Sequence, residues 1–146
     1  MPDNRIVAVQ SFLDARRCGS QTSDFDAATE FVDEADTYHI DWRILPVIYL
    51  KESTCGQHEL AGTNNGFGFG NGSVRFTSFA NAVATISEKL TIHPYAGKSL
   101  QGIISTYNNH PEYLTSFMGY YQEITLNYEA VNRLLPMLNQ GVIQGQ

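Results

Sequence analysis

Read by the spacing of its apolar residues, the chain divides into helical stripes with a single interruption. Over 4–17, Ile6, Val9 and Leu13 recur at helical intervals ahead of Arg16 and Arg17, and the pattern stops at Cys18-Gly19. Ser23 then opens a second helix, with Asp24 and Asp26 in a first turn where negative charge suits the helix dipole. Its stripe is Phe25, Ala28, Phe31, Val32 and Ala35. Asp41 is placed to cap a third helix, WRILPVIYLKEST, with Pro46 near the first turn, where a proline costs little. Ser78 begins FANAVATISEKL, which ends before His93-Pro94. Further helices are predicted over about 98–107, from Pro111 to about Ile124, and over about 128–138, with a frayed tail, GVIQGQ, at the end. Phe12, Phe31 and Trp42, with Phe25, fall on these stripes and are predicted to be core.

The interruption lies between the third helix and the Ser78 helix. There NNGFGFGNG, residues 64–72, carries four of the chain's 12 glycines. Asn71-Gly72 is a strong two-residue hairpin turn. Phe67 and Phe69 alternate with glycine before it, and Val74 and Phe76 alternate with Ser73 and Arg75 after it. The expected fold is therefore α+β: a mostly helical single domain over 1–146 with a small β-hairpin lobe.

Composition narrows the function. At 146 residues and 42% hydrophobic, the chain can bury one ordinary core. A formal net charge of -6 argues against nucleic acid, which calls for a basic stripe. No run of apolar residues is long enough for a membrane span. The start, MPDNRIVAVQSFLDARR, does not read as a signal peptide, so an extracytoplasmic protein would need a removed leader or release by lysis. The cysteines, Cys18 and Cys55, are either two small buried hydrophobes or one disulfide.

Several chemistries fail on spacing. A P-loop needs a lysine after its last glycine, and no basic residue comes here until Arg75. The dinucleotide fingerprint fails because Asn71 stands where its last glycine should be. His58-Glu59 begins a zincin pattern that Gly62 breaks, Cys55 and His58 lack a second pair, and His39, His93 and His110 are scattered, so no metal is expected. Ser53 is not on a nucleophile elbow, and Cys55 has no base beyond its neighbour His58.

Glu52 survives this sifting. Ile44, Ile48 and Glu52 stand at i, i+4 and i+8, flanked by Leu45 and Tyr49, so the carboxyl continues the face of the third helix that should be buried, while Lys51 points elsewhere. A partly desolvated carboxyl holds its proton to higher pH, as a general acid for a glycosidic oxygen must. The bland alternative is a helix end that surfaces at Glu52.

With these residues in view, the chain resembles a known group. IDWRILPVIYLKESTCG is similar to the catalytic helix of the lysozyme-like superfamily, which ends in Glu-Ser. NNGFGFG resembles the Asn-x-Phe-Gly segment of bacterial and phage N-acetylglucosaminidase domains, the mannosyl-glycoprotein endo-β-N-acetylglucosaminidase-like group related to lytic transglycosylases. RFTSFANAVATISEKL resembles the aromatic strand and helix beyond that segment, and HPYAGKSLQGIISTYNNHPEYLTSFMGYYQEI resembles the group's closing helices. The likeness spans residues 24–124. It implies a peptidoglycan hydrolase that cleaves β-1,4 bonds between N-acetylglucosamine and N-acetylmuramic acid, with Glu52 as general acid and Tyr107 assisting. Asn64, Asn65, Phe67 and Gly68 would line the cleft, with Tyr95 and Asn108 beside it.

No organic cofactor is implied. The partner would be the glycan strand, the protein secreted or virion-associated, and its state monomeric. Phe67, Phe69, Tyr95, Tyr107 and Tyr113 could stack on sugar rings, or in the case of Phe67 and Phe69 simply pack a hairpin. Glu59 is a possible second carboxylate or a solvated loop residue. Without a second carboxylate, the substrate's acetamido group or 6-hydroxyl would act in its place, the latter giving an anhydro sugar. A non-catalytic glycan-binding or structural part of a larger assembly is the alternative from another class.

Overall fold

A computed structural model describes residues 3–18 and 23–144. These fold into six α-helices: α1 (Asn4–Ala15), α2 (Asp24–Tyr38), α3 (Ile44–Ser53), α4 (Phe79–Lys89), α5 (Leu100–Tyr107) and α6 (Pro111–Gln144). Four helices start on side-chain caps. Asp3, Ser23, Ser78 and Ser99 accept from the backbone N–H of Arg5, Asp26, Asn81 and Gly102 respectively. Asp41 does not cap α3. Its carboxylate accepts from the Arg43 N–H at 3.0 Å in a turn just ahead of the helix, and its carbonyl accepts from Ile44.

Helix α3 is buried at every position from Ile44 to Tyr49, Pro46 included, which marks it as the central strut rather than a surface helix. Helices α1, α2 and α6 pack around it, and α4 lies on α2. One continuous core results, with Phe12, Phe31, Ile48, Phe67, Ile86 and Phe117 fully buried. Trp42 is partly buried beside Tyr128, 5.4 Å between rings. Phe25 does not join the core: in the first turn of α2 it is 48% exposed.

The two helices predicted over 111–138 are one, a 34-residue α6 about 50 Å long. The polar residues at the expected break face neighbours instead. Thr125 Oγ1 donates back to the Tyr121 carbonyl and accepts from Arg43, and Asn127 Nδ2 donates to the Ala8 carbonyl. Pro136 sits inside the helix without ending it. Of the tail expected to fray, residues 141–144 are helical and the last two lie outside the described residues. No helix among the described residues is long and apolar enough to cross a membrane.

The β-hairpin lobe is absent, and the α+β expectation is corrected to an all-helical fold: among the described residues there is no strand. The turn itself forms. Asn71 and Gly72 have φ of 58° and 80°, and the Ser73 N–H donates to the Gly70 carbonyl across them. The flanks cannot extend into strands, because Asn64, Gly68 and Gly70 also have positive φ. Their backbone groups go to a side chain instead. Asn65, 2% exposed, donates through Nδ2 to the carbonyls of Phe69 (2.7 Å) and Val74 (3.0 Å). Its Oδ1 accepts from the N–H groups of Phe67 (3.3 Å) and Phe69 (3.2 Å). One buried amide thus takes the place of a strand ladder.

A Cys18–Cys55 disulfide ties the end of α1 to the turn after α3, across a sequence separation of 37. Closing a loop of that length removes about 4 kcal/mol of chain entropy from the unfolded state. A Cys18→Ser/Cys55→Ser protein is expected to lose about 2–5 kcal/mol in denaturant unfolding relative to the oxidised wild type; unchanged stability would show that the bond adds nothing.

Candidate active site

The site is built at the C-terminal end of α3, where the buried helix meets the surface. Thr54 and Cys55 both take left-handed backbone (φ 51° and 58°) and turn the chain sharply away. Ser53 fixes this corner. Its buried hydroxyl donates to the Gly66 carbonyl at 2.6 Å and accepts from the Gly56 N–H at 2.7 Å. Ser53 is therefore a structural pin between helix and loop.

The glycines allow this closure. A Cβ at position 66 would lie 2.5 Å from the Tyr49 ring and 2.8 Å from Ser53 Oγ. At position 68, where φ is +63°, it would lie 2.9 Å from both the carboxyl carbon and Oε1 of Glu52. The bare backbone at 66 and 68 brings the loop onto the protein's own helix, so that at these positions the space is already filled.

Glu52 is half-buried at the edge of an open groove of about 480 Å³, shared with His58, Glu59, Asn65, Gly68 and Ser73. Burial raises its pKa above the ordinary 4.5, and the positive charge of Lys51 only partly opposes this. Glu59 faces the same groove, and burial alone raises its pKa. Two carboxyls with a hold on their protons thus line one groove, the second on a loop that periodicity could not place.

The other residues singled out in the sequence scatter around this centre. Asn65 lines the groove, but the loop uses both ends of its amide. The Asn64 amide donates to the Phe76 carbonyl at 3.0 Å. Phe67 is fully buried, stacked on Tyr49 at 5.0 Å and edge-on to Phe31 at 6.1 Å, and cannot meet a sugar face. Tyr107 is partly buried, and its hydroxyl donates to the Phe67 carbonyl. Burial first, then the neighbouring Tyr113, Glu52 and Tyr95, push its ionisation well above the tyrosine range. Tyr107 therefore braces the loop from α5, as a positioning residue. Tyr95 stands 6.4 Å from the Tyr107 ring but opens onto a separate hollow of about 430 Å³ with Tyr38, Ile44 and Lys98. Asn108 ends α5, and its Oδ1 accepts from the His110 N–H.

No family model, curated protein or solved structure matches the chain. The site is therefore read from its own geometry. Sequence reasoning passed over Ser53 as a pin and His58 as a groove residue; their partners lie across a loop whose path no local pattern encodes.

Proposed function

We propose that this protein is a glycosidase that cuts β-1,4 bonds of peptidoglycan glycan strands, with Glu52 as the general acid. The observation that carries the reading is a carboxyl at the end of a buried helix, half-desolvated, facing an open groove that an extended chain can enter. The choice of glycan rests on the resemblance of residues 24–124 to N-acetylglucosaminidase domains. In the reaction Glu52 gives its proton to the glycosidic oxygen as the bond to the anomeric carbon breaks, and water adds to that carbon. Glu59, in the same groove, supports hydrolysis: it can take the proton from the attacking water. A lytic transglycosylase would instead close the 6-hydroxyl onto the anomeric carbon, with Glu52 taking that proton back.

Product masses separate the two routes. Hydrolysis predicts muropeptides with a free reducing end, heavier by one water than anhydro products; a spectrum of anhydro products alone would remove Glu59 from the chemistry. The pH profile gives a second check. Because the acid must be protonated, kcat/KM should fall as pH rises through the Glu52 pKa, which burial places above 4.5. An alkaline limb unchanged in position by Glu59→Gln is expected; a limb that vanishes in Glu59→Gln would assign the acid to Glu59.

A further inference from the structure

Two residues beyond Glu52 the backbone enters the left-handed region and stays there. Thr54, Cys55 and Gly56 have φ of 51°, 58° and 84° in succession. Glycine adopts such angles freely, but a β-branched threonine or a cysteine seldom does, and residues so placed persist only where the surroundings enforce them. Thr54 is exposed, so packing of its side chain does not hold the corner. Cys55 is fully buried and bonded to Cys18 at the end of α1. The same end of α1 receives a second tie, from Gln57 Nε2 to the Arg17 carbonyl at 3.4 Å. Past the corner, the His58 N–H donates to the Ser53 carbonyl at 2.8 Å and closes a tight turn just ahead of Glu59. The Glu59 side chain folds back over that turn: a Cβ at position 56 would lie 3.5 Å from Glu59 Oε2. The second carboxyl of the groove thus rests on the residue next to Cys55.

We propose that the Cys18–Cys55 bond is a clamp that positions Glu59 in the groove, so that it sets the rate of cleavage as well as the stability of the fold. The inference rests on the glycosidase reading in which Glu52 is the acid and Glu59 takes the proton of the attacking water. Cys55 is a positioning residue that acts through Gly56 and the turn. Without the bond, Thr54 and Cys55 are free to leave the left-handed region, and the carboxyl carried four residues beyond Cys55 leaves its place with them. Proton transfer needs that carboxyl within hydrogen-bond reach of the water, so a small displacement is enough to slow it. Glu52 lies on the other side of the corner, placed by α3 and by the close approach of Gly68.

The test is a cycle of variants. Release of reducing ends from soluble glycan strands is measured for the wild type, Cys18→Ser/Cys55→Ser, Glu59→Gln and the three substitutions together, at a temperature where circular dichroism shows each to be folded. With Glu59 present, loss of the bond should lower kcat about ten- to a hundredfold, the cost of a misplacement of about 1 Å. In the Glu59→Gln background it should change kcat less than about twofold, because the group being positioned is gone. An equal fall in both backgrounds would show a general loosening of the site and overturn the proposal, as would no fall in either. A second measurement needs no variant. In the oxidised wild type the Gly56 and His58 amides should exchange hydrogen as slowly as those of α3; exchange at the rate of an open loop would also overturn the proposal. If the wild type released no reducing ends, or Glu59→Gln released them as fast as the wild type, the reading beneath would fail and take this proposal with it. That outcome is distinct from a cycle without coupling in an enzyme that depends on Glu59.

Discussion

Replacing Glu52 by glutamine is expected to slow release of soluble fragments from peptidoglycan by about a thousandfold, within the range that a lost general acid or base costs. The amide has nearly the shape of the carboxyl and leaves Gly68 seated against it, but it has no proton to transfer. The same substitution should not destabilise the fold. Burial raises the Glu52 pKa in the native state, so the group's contribution to stability is fully present below its ordinary 4.5 and is lost as pH rises through the native value. Wherever it is ionised, the wild type carries a partly desolvated charge that the variant lacks. Thermal unfolding at pH 7 should therefore place the variant at or above the wild type. A lower melting temperature would mean that the carboxylate is held by favourable bonds, contrary to a desolvated acid.

The largest effect on stability is expected at Asn65. Substitution by alanine orphans the Phe69 and Val74 carbonyls and the Phe67 and Phe69 N–H groups together, inside a site that is 2% exposed. At about 1 kcal/mol for each net hydrogen bond, and more where a group stays buried and unpaired, the loss is about 3–5 kcal/mol. Denaturant unfolding of Asn65→Ala measures it. Asn65→Asp sharpens the test, because a carboxylate keeps the two accepted bonds but cannot donate to the two carbonyls. It should be nearly as damaging. Hydrogen exchange should show the effect concentrated in residues 65–74, and activity should fall as well, since this loop sets Gly68 against Glu52. A loss below about 1 kcal/mol would mean that the loop is held mainly by Phe67 in its aromatic cluster.

What could be read in advance divides along the range of the interactions. The stripes of α1, α2 and α4 are local, and so are the Ser23 and Ser78 caps; each formed where its spacing placed it, except that Phe25 in the first turn of α2 stays exposed. The position of Glu52 also came from a local rule, because a face that holds Ile44 and Ile48 in the core must carry the next residue on it to the core's edge. Even the turn at Asn71-Gly72 has the backbone angles its sequence calls for.

The hairpin failed because period-two alternation registers only which side chains share a face. It is blind to an asparagine that takes the backbone groups first. Phe67 looked like a sugar platform for the same reason: its partners Phe31 and Phe79 come from other helices. Tyr107 looked like a free hydroxyl until a carbonyl 40 residues away was brought to it. The unbroken α6 was hidden by polar residues whose partners, Arg43 and Ala8, are distant in the chain.

If the carboxyl of Glu52 makes this protein a peptidoglycan-cleaving enzyme, the initial rate at which soluble muropeptides leave purified cell walls must depend on it. That rate is to be compared at equal concentration for the wild type and folded Glu52→Gln. Steady release by the wild type and a rate about a thousandfold lower for the variant are expected. Equal rates for the two proteins, or no release by a wild type that still binds the walls, would contradict the assignment.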